Sequence, residues 1–78
     1  MNEHTLKFFG EELAQIKAEV ARLGGMAEAQ LADSVDAVAR RDVGLAQAVV
    51  GRDERLDALQ HDIEKKVIRL IALRQPVA

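Results

Sequence analysis

The sequence contains no cysteine, tryptophan or tyrosine, and only one proline, among its 78 residues. The absence of cysteine excludes a disulfide framework, a thiolate zinc site and a cysteine nucleophile. Aromatic residues make up 3% of the chain, whereas apolar residues in total make up 49%. A core must therefore form from small and aliphatic side chains, which is typical of closely packed helices.

The chain also lacks an excess of charge of one sign, since 11 Lys and Arg face 13 Asp and Glu, a net charge of −2 with neutral histidines. This near balance argues against a nucleic-acid binder, which needs a basic face. No run approaches the roughly 18 apolar residues of a membrane span, and residues 1–4 lack the features of a secretory signal. We expect one domain, residues 1–78, located in the cytoplasm.

Apolar residues recur at steps of three and four in the first half of the chain, which predicts a helix over about residues 5–40. The stripe comprises Leu6, Phe9, Leu13, Ile16, Val20, Leu23, Ala27, Leu31, Val35 and Val38. After Leu23 two successive steps of four residues shift the stripe around the helix, so its second half is expected to face a slightly different direction. Gly24 and Gly25 lie within it, and each costs about 1 kcal/mol relative to alanine inside a helix. Because the stripe continues on both sides, we expect another backbone to approach closely there; a helix break is the alternative.

A second helix is predicted over about residues 42–74, with the Asp42 carboxylate at its start and Pro76 at its end. Each helix would be roughly 50 Å long, at about 1.5 Å per residue. The short connection forces the helices into a long antiparallel hairpin. Both helices carry more apolar positions than one interface uses, so we expect self-association into a helical bundle, or a place in a larger helical protein.

The predicted seam of the second helix contains two polar positions. Its members are Val49, Asp53, Leu56, Gln60, Ile63, Val67 and Leu70. Asp53 is a carboxylate at an inward position, which is costly without a partner. Asp57 follows one turn later, and neither acid has a Lys or Arg three or four residues away on the helix. The compensating charge must come from another segment, another chain or a bound cation.

Stacked carboxylates suit hard or borderline metal ions. We predict Asp53 and Asp57 as metal ligands, with His61 as a further candidate, for a divalent or iron ion (Mg, Mn, Fe or Zn). One helix supplies too few ligands, so acids from elsewhere must complete the site. The alternative is an acidic pair that is merely solvated.

The remaining residues offer no catalytic arrangement. The hydroxyl residues Thr5 and Ser34 have no His or acid placed to activate them. No phosphate-binding glycine loop occurs, and the Glu-x-x-His pair of ferritin-like metal enzymes is absent. We therefore predict that the chain is not an enzyme.

Several short motifs stand in order along the chain. They are Phe9-x-x-Glu12-Leu13, Leu23-Gly24-Gly25-Met26-x-Glu28, Asp42 followed by Ala46, Asp53-x-x-x-Asp57, and Ile68-Arg69-Leu70-Ile71-Ala72-Leu73-Arg74-Gln75-Pro76-Val77-Ala78. This order resembles the N-terminal part of the PhoU family of phosphate-uptake regulators, over nearly the whole chain.

The resemblance implies an all-α fold of two tandem three-helix bundles, and a cytoplasmic dimer that works at the inner membrane through its partners. It implies contacts with the ATPase subunit of the phosphate ABC transporter and with the phosphate sensor histidine kinase. The family's acidic metal-binding motif falls on Asp53 and Asp57. A family member is expected to continue after Pro76 into a third helix with further acids, so residues 1–78 correspond to a partial bundle.

Two functions follow as expectations. The first is a non-enzymatic regulator of phosphate uptake and phosphate-starvation signalling, which acts by protein contacts and carries a metal-binding acidic seam. The second is a helical dimerisation module whose acids bind no metal.

Overall fold

The computed structural model describes residues 3–74, which form two long α-helices and no strand. Helix α1 spans Glu3–Arg40 and helix α2 spans Val43–Arg74, against predicted ranges of about 5–40 and 42–74. The helices pack along each other as an antiparallel hairpin with extents of 57 × 19 × 14 Å. The prediction of an all-α helical hairpin is confirmed. The predicted helix stop at Pro76 lies outside the described residues.

The helices meet in a two-residue turn at Arg41 and Asp42. The Asp42 N–H donates to the carbonyl of Ala37 at 2.9 Å, and the Arg41 N–H donates to the carbonyl of Val38 at 3.3 Å. This is a Schellman motif, which requires a left-handed residue, and Arg41 accordingly has a φ of 53°. The Asp42 carboxylate then accepts the N–H of Leu45 at 3.0 Å, so its predicted capping role is confirmed.

The apolar core lies in the half of the hairpin farther from the turn, which we call the open half. Ile16, Ile63 and Leu70 are buried there. Five partly buried apolar residues pack against them: Phe9, Leu13, Leu23, Leu59 and Val67. Near the turn, only Ala37 is buried among the described residues, because the α1 residues that face α2 in that half are small or polar.

In the half near the turn the α1 stripe faces a different direction, as its steps of four residues predict, and it no longer contacts α2. Leu31, Val35 and Val38 are exposed, at 68%, 61% and 79% of their surface. Gln30, Ser34 and Ala37 face α2 instead: the Gln30 amide donates to the carbonyl of Val49, and Ser34 is half-buried. A repeat of alternating threes and fours drifts around a straight helix by about 20° per heptad. After Leu23 the stripe advances in successive steps of four residues, which moves it out of the interface with α2.

The predicted α2 seam is wrong at its two polar positions. Asp53 and Gln60 are exposed, whereas their neighbours Arg52 and Leu59 are half-buried against α1. An arginine fits such a position because its stem packs on apolar surface while its guanidinium reaches the edge. Asp53 therefore carries no burial penalty within the hairpin, and that part of the argument for a compensating cation fails.

Gly24 and Gly25 lie inside an unbroken α1. A Cβ added at either position would meet no atom within 4 Å in the described part of the chain. Within the hairpin, then, the glycines mark neither a helix break nor a close approach of the other helix.

Neither helix of residues 3–74 has a stretch that is both long enough and apolar enough to cross a lipid bilayer.

Candidate functional site

One flank of the hairpin is closed by two ion pairs between the helices, and we call it the ion-pair flank. Lys66 Nζ donates to Glu19 Oε1 at 2.7 Å, and Arg52 Nη2 donates to Asp33 Oδ2 at 2.8 Å. All four side chains are partly buried. The two pairs bridge the helices on the same side of the apolar core.

The opposite flank is apolar. Near the turn it holds a recess of about 230 Å³ lined by Ser34, Ala37, Val38, Ala46, Val49 and Val50. In the open half it holds a cavity of about 270 Å³ lined by Phe9, Leu13, Ile16, Val67, Leu70, Ile71 and Arg74. We define the apolar flank by its exposed large side chains: Leu6, Val20, Leu31, Val35, Val38, Val50, Ile68 and Ile71.

Asp53 and Asp57 lie on this apolar flank, midway along α2. They follow Val50 by three and seven residues, and Ile68 follows Asp57 by eleven, so helical spacing places all four on one side of the helix. Both carboxylates are exposed. Neither takes part in an ion pair within residues 3–74. The structure thus brings the two predicted ligands together on one exposed face.

His61 follows Asp57 by four residues, which places it one turn farther along the same side of α2. Its Nδ1 is 3.6 Å from Glu64 Oε2, toward the C-terminal end of α2, and the imidazole is exposed. Between Glu3 and Arg74, no three side chains of His, Cys, Asp or Glu come together in a group that would hold a metal ion. The described chain therefore offers two carboxylate ligands on one helix, fewer than the octahedral set of oxygen ligands that Mg²⁺ takes.

Lys66, on the ion-pair flank, has a shifted pKa. The pKa of Lys66 is raised above its ordinary value of 10.5, first by its hydrogen bond to Glu19 and further by the charges of Glu19 and Asp62, while partial burial lowers it. Asp62 Oδ2 lies 3.6 Å from the same ammonium. Glu19 uses one carboxylate oxygen for Lys66, and its other oxygen, Oε2, is buried without a hydrogen-bond partner in the described chain.

Sequence reasoning missed these ion pairs, because the two predicted stripes follow the apolar residues and include neither the two acids nor their basic partners. A signal was present in the spacing. Glu19 and Asp33 are separated by two heptads on α1, and Arg52 and Lys66 are separated by two heptads on α2. An acidic pair and a basic pair with equal heptad spacing on antiparallel helices match each other across the hairpin.

Residues 20–78 match the family described as the PhoU domain. A relative from Caulobacter vibrioides (strain NA1000 / CB15N), named phosphate-specific transport system accessory protein PhoU homolog, is 65% identical over all 78 residues, which cover 34% of that protein. A homolog of the same name from Clostridium acetobutylicum is 40% identical over 73 residues, 94% of the chain and 33% of the relative.

The phosphate-specific transport system accessory protein PhoU of Escherichia coli (strain K12) is 36% identical over 78 residues, all of this chain and 32% of that protein. The chain spans about a third of the length of these relatives. No solved structure matches it significantly.

Proposed function

The chain belongs to the PhoU family, and from this membership we propose that it acts in the regulation of phosphate uptake by protein contacts rather than by catalysis. One observation carries the proposal: the 65% identity, over every residue of the chain, to a protein named as an accessory of a phosphate-specific transport system. The more distant relatives carry the same description. The proposed place of action is the cytoplasm, at the inner membrane through the partners.

We propose that the partners are the ATPase subunit of the phosphate ABC transporter and the phosphate sensor histidine kinase. What supports direct contact is the apolar flank, since contiguous exposed apolar surface marks interaction sites. Eight large apolar side chains are exposed on it, among them Leu31 and Val38.

Binding of the chain to each purified partner, measured by biolayer interferometry, tests this proposal. We expect binding to at least one of them, and weaker binding after Leu31→Gln with Val38→Gln on the apolar flank. The matched control is Ala14→Gln with Ala18→Gln, which adds the same groups to exposed positions elsewhere on α1. Failure of the unaltered chain to bind either partner would contradict the proposal.

We propose further that Asp53 and Asp57 hold a metal ion jointly with acids of a second chain. Their exposure on one face and their freedom from ion pairs in the described hairpin leave all four oxygens open. Two carboxylates complete no coordination shell alone, so the proposal links metal uptake to self-association. Of the candidate metals, Mg, Mn and Fe match carboxylate ligands better than Zn does.

Native mass spectrometry measures oligomeric state and bound metal in one experiment. The unaltered chain and the Asp53→Ala, Asp57→Ala variant are each compared with and without Mg²⁺, Mn²⁺ or anaerobic Fe²⁺. We expect a dimer or larger species that takes up metal only when both acids are present. A chain that stays monomeric and metal-free at every concentration would overturn both parts.

The second candidate function is a helical dimerisation module without metal. The observation in its favour is the solvent exposure of Asp53 and Asp57, which need no cation to offset a burial cost. Under this function the same spectra show oligomers whose mass is indifferent to metal and to the double substitution.

A further inference from the structure

The connection between the helices holds one residue in a conformation that its side chain disfavours. Arg41 has a φ of 53°, and it is the one residue with a positive φ among residues 3–74. A Cβ makes this left-handed conformation unfavourable, which is why glycine is the usual residue at this point of a Schellman motif. Residues 34–43 contain no glycine or proline, so every residue of the connection can also adopt a helical conformation. The connection is therefore short, strained and free of helix-breaking residues.

A continuous helix through the connection would keep the backbone groups bonded. In the turn, the N–H groups of Arg41 and Asp42 donate to the carbonyls of Val38 and Ala37, and the Asp42 carboxylate accepts the N–H of Leu45. A helix replaces these bonds by its regular bonds to the carbonyl four residues earlier. It also satisfies the groups that two helix ends leave open. The connection thus has a second conformation, in which its backbone groups are bonded and the strain at Arg41 is relieved.

The two interface stripes of the hairpin are in phase across the connection. The last residues of α1 that face α2 are Ser34 and Ala37, and the first residues of α2 that face α1 are Leu45 and Val49. Two steps of four residues separate Ala37 from Leu45, with Arg41 between them. Such steps unwind a coiled coil locally without ending its seam. A single helix would therefore present one continuous stripe to a partner.

The contacts between the helices can form equally well between two copies of the chain. Glu19 faces Lys66 and Asp33 faces Arg52, and this register places residue 42 opposite residue 43. Two opened copies in the same register would be related by a two-fold axis at the connection itself. The charges around that axis balance. Residues 36–49 contain two acidic and two basic residues: Asp36, Arg40, Arg41 and Asp42.

We propose that the connection is a hinge at which two copies of the chain exchange their second helices. In the exchanged dimer each copy is one helix over residues 3–74, and α1 of each copy packs against α2 of the other. Exchange of an identical element is a low-cost route to a dimer, and a short connection under strain favours it. Exchange uses the interface that already joins α1 and α2, and the exposed faces of the helices have no part in it. The inference does not rest on the proposed function, since it needs neither a metal ion nor a transport component.

Charge complementation between two variants tests the exchange. The first variant carries Glu19→Lys with Asp33→Lys on α1, and the second carries Arg52→Glu with Lys66→Glu on α2. Each variant alone opposes like charges at both ion-pair positions, in a closed hairpin and in a dimer with itself. Only an exchanged dimer with one copy of each variant pairs opposite charges at every position. We expect the equimolar mixture to form this mixed dimer in native mass spectrometry and to melt at a higher temperature than either variant alone.

The length of the molecule gives a second measurement, on the unaltered chain. At about 1.5 Å per residue the exchanged dimer is roughly 110 Å long, whereas the longest extent of the closed hairpin is 57 Å. Exchange needs two copies, so the dimer is favoured at high protein concentration. In small-angle X-ray scattering over a concentration series, we expect the longest dimension to grow toward the larger value as the mass approaches that of a dimer.

Substitution of Arg41 tests the hinge in a chain whose ion pairs are intact. Arg41→Gly favours the left-handed turn, and Arg41→Ala favours the helix. Both remove the same charge, so each is the control for the other. We expect the dissociation constant of the dimer, measured by sedimentation equilibrium, to be lower for Arg41→Ala than for Arg41→Gly by about tenfold or more, because each dimer contains two connections. Circular dichroism confirms that each variant remains helical.

Four outcomes would overturn the proposal. A mixture of the two charge variants that forms no mixed dimer would mean that the helices pair within one chain. A mixed dimer that melts no higher than its components would mean that closed hairpins associate through another face. Equal dissociation constants for Arg41→Gly and Arg41→Ala would mean that the connection stays closed in the dimer. An unaltered chain that remains monomeric at millimolar concentration, together with a monomeric Arg41→Ala, would leave the hinge without a role.

Discussion

Glu19 Oε1 accepts a 2.7 Å hydrogen bond from Lys66 Nζ across the hairpin, and Asp33 with Arg52 repeats this arrangement two heptads nearer the turn. Between them along the same stripe lie Met26 and Leu59, which are half-buried apolar residues. A slip of α2 by one heptad in either direction would place both acids, Glu19 and Asp33, opposite leucine residues. The alternation of ion pair, apolar pair and ion pair therefore favours one register of the two helices.

Exchange of the charges of Glu19 and Lys66 tests this relationship. We expect Glu19→Lys alone and Lys66→Glu alone to lower the melting temperature, because each opposes two like charges at a partly buried position. The double variant should recover most of the loss. The measurement is thermal unfolding followed by circular dichroism at one protein concentration. Additive losses in the double variant would show that the pair does not interact in solution.

The same pair predicts a loss of stability at alkaline pH. The pKa of Lys66 is raised above 10.5 in the folded chain, chiefly by its hydrogen bond to Glu19. The folded state therefore holds this proton more tightly than the unfolded state does. The contribution is fully present below pH 10.5 and is lost as the pH rises through the folded pKa. Urea unfolding across this range should show a steeper decline for the unaltered chain than for Lys66→Met, which keeps the apolar stem.

The left-handed residue of the turn predicts a stabilising substitution. Arg41 has a φ of 53°, which costs a residue with a Cβ about 1 kcal/mol relative to glycine. Arg41→Gly should raise the free energy of unfolding by about this amount. The opposing control is Asp42→Ala, which removes the cap on Leu45 and should cost about 1 kcal/mol. If neither substitution changes the free energy of unfolding, the turn is open in solution.

Replacement of Gly24 or Gly25 by alanine is also expected to stabilise the chain. A Cβ at either position meets nothing within 4 Å in the described chain, so alanine adds helix propensity without a clash. Each of Gly24→Ala and Gly25→Ala should stabilise the chain by about 1 kcal/mol in urea unfolding. If another backbone approaches this point in an assembly, the same substitutions will instead weaken oligomers in sedimentation experiments, which separates local propensity from close approach.

Neutralisation of the acidic pair, Asp53 and Asp57, is expected to raise the stability of the chain slightly. Asp53 and Asp57 stand one turn apart without an ion-pair partner in residues 3–74, and like charges at this spacing cost a helix about 0.2–0.5 kcal/mol. Asp53→Asn with Asp57→Asn should raise the melting temperature slightly at low salt and less at high salt, where charges are screened. If the unaltered chain is the more stable one in the presence of metal, the acids are serving as ligands.

The helices and the turn were predictable because local rules determine them. A repeat of threes and fours specifies a helix over many turns, and Asp42 after two basic residues specifies where one helix ends and the next begins. These rules need no knowledge of the partner helix.

The composition of the interface was not predictable to the same degree. A stripe of apolar residues identifies a helix face that a partner covers, but it does not identify that partner. Helix α1 carries two such stripes, which implies two partners. Leu31 and Val38 follow the stripe that leaves the hairpin, whereas Gln30 and Ala37 follow the one that α2 contacts. Asp53 was misplaced for the same reason, since Arg52 beside it is long enough to occupy an inward position.

The turn also determines where side chains point over the whole length of the hairpin. The Asp42 N–H donates to the carbonyl of Ala37 in α1, and its carboxylate caps α2, so no spare residue lies between the helices. Insertion of one residue there would advance α2 by about 100° around its axis, which would turn Asp53 and Asp57 away from their flank and separate Lys66 from Glu19. We therefore expect related sequences to tolerate substitutions along both helices more readily than any change of length at this connection.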